Sequence, residues 1–149
     1  MQTWESSEGV VDFPSGRKIR GRSWKERDVE PADLTVLLTT VVPNQVGSMQ
    51  SPLEGDLIVI DWPDDRTPRR PAQARADLRT AWERAATEKV EIVCNHGISR
   101  TGTALATIAV FDGMEPREAM EWVRETYHPE AVGTHALRGF VLELEVEVA

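Results

Sequence analysis

The sequence predicts an α/β fold, a central mixed β-sheet flanked by helices, and three observations carry that expectation. Leu57-Ile58-Val59-Ile60 is a short continuous apolar run of the kind found in interior strands, and Val90-Glu91-Ile92-Val93 is a second. Between them, Pro71 to Thr87 places Leu78, Ala81, Trp82 and Ala85 at helical spacing, with Pro71 suited to a first helical turn. Strand, helix, strand implies a parallel pair joined by a crossover, and the stretch after the second strand, Thr101 to Phe111, is apolar nearly all round, as a helix buried in the domain would be.

The remaining elements follow in order. Val10 to Phe13, the turn Pro14-Ser15-Gly16 and Arg17 to Arg22 read as a hairpin, which makes the sheet mixed. Leu34 to Val42 is β-rich and apolar, a buried strand. Pro43 to Asp56 carries Pro, Gly, Asn and Ser and reads as a long surface loop. Two further helices are predicted at about Pro116 to Thr126 and Thr134 to Val146, the last keeping Leu137, Phe140, Val141 and Leu144 at helical spacing.

Composition narrows the classes. A chain of 149 residues, 40% hydrophobic and 28% charged, suits one domain spanning 1–149. No stretch is long and apolar enough to span a membrane, and the start, Met1 to Ser6, lacks the pattern of a signal peptide, so a cytoplasmic protein with no membrane partner is expected. A net charge of −8 opposes nucleic-acid binding. Against that balance stands a basic segment, Arg17, Lys18, Arg20, Arg22, Lys25 and Arg27. It reads as the solvated face of an edge hairpin, with a docking patch for an acidic substrate as the alternative. With one cysteine, no internal disulfide can form.

That cysteine opens the most informative segment, Val93-Cys94-Asn95-His96-Gly97-Ile98-Ser99-Arg100-Thr101-Gly102. A strand end, a short loop and a helix N-terminus aim several backbone N–H groups at one spot and so form an anion nest. Cys94 begins the loop, where its sulfur can sit beneath a bound phosphorus, and the positive field favours the nucleophilic thiolate. Arg100 adds a planar fork for two phosphate oxygens. Gly97 supplies backbone freedom in the tight curve. A cysteine in such a setting could also be merely a small buried hydrophobe.

Cysteine, five residues, arginine and a hydroxyl residue resembles the signature loop of the protein-tyrosine phosphatase superfamily, and Gly97-Ile98-Ser99-Arg100-Thr101 is similar to its compact dual-specificity branch. The resemblance implies a phosphatase-type phosphate-binding loop between a strand and a buried helix. Cys94 would be the nucleophile, and Asn95, His96, Gly97, Ile98, Ser99 and Arg100 would hold the phosphate. Thr101 matches the hydroxyl that stabilises the leaving thiolate, or is a simple helix-start hydroxyl. The side chain of His96 is expected to face solvent or a neighbouring loop.

Thirty residues upstream, Asp61-Trp62-Pro63-Asp64-Asp65-Arg66-Thr67-Pro68 resembles the family's Trp-Pro-Asp loop at Trp62, Pro63, Asp64 and Pro68, with Arg66 where the family has glycine. Such chemistry needs a general acid to protonate the leaving oxygen and then a base for the attacking water. Asp64 is assigned that role. Asp61 is expected to face neighbouring backbone and Asp65 to point away. Parallel neighbouring strands would bring the two loops to one sheet edge. Tyr127-His128-Pro129-Glu130-Ala131-Val132 also resembles a family segment, so the likeness covers about Leu57 to Val141.

Two departures matter. Val93 stands where the family usually has histidine, and Leu137 where many members carry a water-positioning glutamine. His128 and His135 make no metal spacing, so neither metal nor other cofactor is expected. The resemblance implies phosphomonoester hydrolysis on a phosphorylated protein, tyrosine first, or on a small phosphomonoester, through a cysteinyl-phosphate. Phosphoinositide hydrolysis is disfavoured by the absence of lysine in the loop. A phospho-binding module with little turnover is the reading from another class.

Overall fold

The structure, a computed structural model, describes residues 3–26, 28–40 and 55–144. Five strands, β1 (Val10–Asp12), β2 (Lys18–Ser23), β3 (Leu34–Thr39), β4 (Asp56–Asp61) and β5 (Val90–Cys94), join four helices, α1 (Pro71–Arg84), α2 (Ser99–Phe111), α3 (Pro116–Thr126) and α4 (His135–Leu142). The strand order is β1-β2-β5-β3-β4. Only β1 and β2 are antiparallel, and the other pairs are parallel, so the sheet is mixed as predicted. Parallel strands end at one edge, and that edge carries Ser23, Thr39, Asp61 and Cys94.

Two expectations about strand position need correcting. Leu57 to Ile60 was expected inside the sheet, yet among the described residues β4 is a terminal strand, with Leu57 39% exposed. β4 and β5 are also not neighbours, because β3 lies between them. Apolar runs report burial of strand faces and not strand order. The two loops still reach one edge, because all three strands run the same way. Positions 41–42 and 43–54, the end of the expected strand and most of the expected loop, lie outside the described residues.

All four helices pack on one face of the sheet. Val36, Leu38, Ile60, Val90, Ile92 and Cys94 meet Leu78 of α1, Leu105 and Ile108 of α2, Val123 of α3 and Leu137 of α4 in one core. Every α2 residue from Arg100 to Val110 is buried, which is why its sequence shows no polar stripe. Each large aliphatic side chain removed from water there contributes roughly 1.5–3 kcal/mol. Thr134 caps α4 by accepting the Leu137 N–H.

The opposite face overturns the expectation for Arg20 and Arg22 of the basic segment, while Lys25 is exposed as a solvated face would have it. β2 lies between β1 and β5, and Arg20 and Arg22 are buried. Both converge on Glu91 of β5. Arg22 Nε and Nη2 donate to its two oxygens at 2.7 and 3.0 Å, Arg20 Nη2 donates at 2.5 Å, and Thr35 Oγ1 adds a bond at 2.7 Å. Burial alone would raise the Glu91 pKa. The bonds and charge of Arg22, with Arg20 and Thr35, outweigh it and hold the carboxyl below its usual value. Arg17 is half-buried, its guanidinium 4.2 Å from the centroid of Trp82, and Lys18 pairs with Asp12. Buried arginines with a buried counter-ion are neither a solvated face nor a docking patch. Arg27 lies outside the described residues.

Candidate active site

Cys94 closes β5 and is 2% exposed. Two donors converge on its sulfur, Thr101 Oγ1 at 3.0 Å and the Gly97 N–H at 3.2 Å. The chain then curves back against the end of β2. Gly97 has φ +71°, and a Cβ there would lie 2.4 Å from the Ser23 nitrogen, so no other residue fits. α2 begins at Ser99, and its N-terminus brings unpaired N–H groups and partial positive charge to the loop.

Arg100, in the first turn of α2, is 6% exposed. Its Nη1 donates to the Trp62 carbonyl at 2.9 Å. Its Nε lies 3.5 Å from Asp64 Oδ1 and has no hydrogen-bond acceptor among the described residues. A buried cation with a spare donor is a ready partner for an oxyanion.

The acid loop leaves β4 at Trp62. That side chain is fully buried, tilted against Phe140 with ring centroids 5.5 Å apart, and its Nε1 donates to the Arg66 carbonyl at 2.6 Å. The loop thus folds around its own tryptophan. Asp64 remains 57% exposed at its side chain. Where the family carries glycine this chain has Arg66, and the left-handed residue is Asp65, φ +58°, a conformation aspartate tolerates better than most. The Asp65 carbonyl accepts from Thr134 Oγ1 at 3.3 Å.

The structure therefore brings Cys94, Arg100, Thr101 and Asp64 together. A pocket of about 320 Å³ is walled by Asp64, Asp65, Cys94, His96, Ile98, Ser99 and Arg100. His96 is exposed at its rim. Asp65 shares the wall instead of turning away, but Asp64 is the carboxylate beside Arg100. Asp61 lies outside the wall, with Arg69 3.4 Å from its carboxylate. Of the expected phosphate-binding residues, Asn95 and Gly97 contribute backbone and no pocket wall. Asn95 Oδ1 is buried with no hydrogen-bond partner among the described residues, and Asn95 is not part of the pocket wall. Leu137 is buried in the core. Val93 is buried on the sheet face opposite Cys94, one strand residue away. A larger cavity of about 540 Å³, bordered by Thr39, Asp61, Arg69 and Gln73, is lined by none of Cys94, Asp64, Arg100 and Thr101.

Sequence reasoning missed three contributors: Ser23, Trp24 and Tyr127. Trp24 N–H donates to the Cys94 carbonyl at 3.0 Å, Ser23 Oγ to the Asn95 carbonyl at 2.5 Å, and the Tyr127 hydroxyl to the Gly97 carbonyl. Burial pushes the Tyr127 hydroxyl well above its ordinary value, and negative charge at Cys94 and Glu26 adds to that, so it stays a neutral donor. The tyrosine lies in a segment noted for its family likeness, which was the available signal. Nothing local marks Ser23.

The family model for protein-tyrosine phosphatase matches residues 24–127, and the chain belongs to that family. Within it the fold is that of the compact, dual-specificity-like members. Human DUSP28 superposes with a TM-score of 0.73 at 14% identity, covering 93% of this chain and 96% of that one. Tk-PTP in its active form gives a TM-score of 0.56 at 25% identity, with 85% and 92% covered. A human tyrosine phosphatase-like serine/threonine/tyrosine-interacting protein gives 0.61 at 17% identity, with 78% of each chain covered. No curated protein matches the chain by sequence. No helix among the described residues is long and apolar enough to cross a membrane.

Proposed function

We propose that the chain hydrolyses phosphomonoesters as a protein-tyrosine phosphatase of the compact dual-specificity kind, through a cysteinyl-phosphate. The observation that carries this reading is the convergence of Cys94, Arg100 and Asp64 on one pocket, with Thr101 on the sulfur. In the first step the Cys94 thiolate attacks phosphorus, an S–P bond forms, and the ester P–O bond breaks. Asp64 gives its proton to the departing oxygen. In the second step water attacks phosphorus, Asp64 takes a water proton, and the S–P bond breaks to return the thiolate and release phosphate. Thr101 donates to the departing sulfur in that step, and Arg100 holds two equatorial oxygens throughout.

A phosphorylated protein is the substrate class this reading favours, because the pocket is open at its rim and the loop carries no lysine to meet a further phosphate. The test is phosphate release from p-nitrophenyl phosphate and from a phosphotyrosine peptide, without added metal, with and without vanadate. Vanadate-sensitive release from both is the expected result, and no release from either would overturn the reading.

One observation favours a second reading, a phospho-ligand binder with slow turnover. Leu137 is wholly buried, so the glutamine many relatives use to place water has no counterpart on that turn of α4. A phosphoenzyme that accumulates on Cys94 and decays over minutes would support it.

A further inference from the structure

The carbonyl groups of the cysteine loop are held from outside by residues that belong to other parts of the chain. Ser23 Oγ, at the end of β2, donates to the Asn95 carbonyl at 2.5 Å. The same oxygen accepts the Lys25 N–H at 3.1 Å, which leaves its proton committed to Asn95. The Tyr127 hydroxyl, just past α3, donates to the Gly97 carbonyl. Among the described residues the chain has no cis peptide bond. In a trans peptide the C=O of one residue and the N–H of the next point in opposite directions. Fixing the Asn95 carbonyl therefore fixes the His96 N–H, and fixing the Gly97 carbonyl fixes the Ile98 N–H, each on the far side of its peptide from the anchor. Neither N–H makes a backbone hydrogen bond among the described residues, and His96 and Ile98 both wall the pocket above Cys94.

We propose that Ser23 and Tyr127 are positioning residues for oxyanion binding, which turn the His96 and Ile98 N–H groups toward the phosphate site by holding the opposite ends of their peptides. This rests on the phosphatase reading, since it needs an oxyanion in that pocket. Two hydroxyls from distant segments thereby order the loop from outside. A tied loop also costs no reorganisation when the anion arrives.

The test uses tungstate as the probe. In the wild-type protein, tungstate is expected to shift the backbone amide signals of His96 and Ile98 in ¹H–¹⁵N spectra. Tyr127→Phe and Ser23→Ala are expected to weaken tungstate binding by about 10–100-fold each, the scale of losing one charge-assisted contact. KM for p-nitrophenyl phosphate should rise along with the fall in kcat, and Ser23→Thr should restore both values. Folded variants that bind tungstate within twofold of wild type would overturn the proposal and leave the phosphatase reading standing. If Tyr127→Phe fails to fold, Ser23→Ala and the wild-type amide shifts decide. A wild-type protein that binds tungstate with no shift at His96 or Ile98 also overturns the proposal, and one that binds no oxyanion and hydrolyses nothing overturns both.

Discussion

The cysteine loop and the acid loop meet at the same sheet edge but are held in different ways. The Cys94, Asn95, Gly97 and Ile98 carbonyls each have a partner, from Trp24, Ser23, Tyr127 and Gly102 respectively. The acid loop is pinned mainly through buried Trp62, whose carbonyl meets Arg100 and whose ring packs on Phe140, and through one 3.3 Å bond from Thr134 to Asp65. Asp64 itself projects from that anchor with its side chain 57% exposed. A nucleophile and its anion cradle must be in place before reaction, so they gain from rigidity. A proton donor must follow leaving groups of different size, and an anchored loop with a projecting carboxylate allows that.

The largest expected effect lies in the rigid loop. Cys94→Ser should reduce turnover below detection on every substrate, because a serine hydroxyl in the thiol's place supplies no ready anion to attack phosphorus. Tungstate binding should persist, since Arg100 and the backbone N–H groups remain. Calorimetry beside a phosphate-release assay separates the two. A serine variant with measurable turnover would place the chemistry somewhere other than this loop.

The acid loop should instead show an effect that depends on the leaving group. Asp64→Ala is expected to lower kcat by about 10²–10⁴ on phenyl phosphate or a phosphotyrosine peptide, the usual scale of general acid catalysis. The loss should be much smaller on p-nitrophenyl phosphate, whose phenolate leaves without a proton. Asp65 shares the pocket wall, so Asp65→Ala is the control, and it should show no such dependence. The reverse pattern would reassign the acid to Asp65.

The two loops also differ in how far the sequence revealed them. Cys94 to Thr101 is one contiguous segment, and its strand-loop-helix form follows from local pattern. Asp64 could be placed because Trp62 and Pro63 precede it directly. What supports the cysteine loop was hidden, because Ser23 bonds Asn95 across 72 positions and Tyr127 reaches Gly97 across 30. The same distance misled the account of the basic segment. Arg20 and Arg22 look solvated until β2 pairs with β5 and brings in Glu91, 71 and 69 positions away. Charge pattern along a strand cannot show a counter-ion that arrives only with the sheet. The edge position of β4 was hidden for the same reason, since strand order is a property of the whole chain.

That buried ion cluster, which joins β2, β3 and β5, gives the next effect. Glu91→Gln would remove the buried carboxylate that Arg20 and Arg22 share, at a cost of about 3–5 kcal/mol in stability. Because the Glu91 carboxyl is held below its ordinary value near 4.5, its contribution is complete above that pH and is lost as pH falls through the lowered value. Thermal melts from pH 7 to pH 3 should show this. Wild type loses stability below about pH 4.5, and the glutamine variant, already weaker at pH 7, should lose less over the same range. Parallel curves would mean that Glu91 is not what couples stability to acid.

The smallest effect tests the tie that links the acid loop to α4. Thr134 Oγ1 accepts the Leu137 N–H at 3.2 Å as the helix cap and donates to the Asp65 carbonyl at 3.3 Å. Thr134→Val keeps the shape and removes both bonds. Loss of the cap should cost about 1 kcal/mol, which for a chain of this size lowers Tm by roughly 2–4 °C. Loss of the Asp65 bond should let the loop drift and misplace Asp64, while Arg100 still holds the Trp62 carbonyl at 2.9 Å. The kinetic consequence is therefore modest and selective: about a 2–5-fold fall in kcat on phenyl phosphate, the scale of one neutral hydrogen bond. On p-nitrophenyl phosphate, where no proton is required, little change is expected. Thr134→Ser restores both bonds and should restore both rates and Tm. An equal fall on the two substrates would show that the tie serves the cysteine loop as well, through the neighbouring bond from the Gly133 N–H to Ser99 Oγ at 3.2 Å. The two loops would then be one mechanical unit.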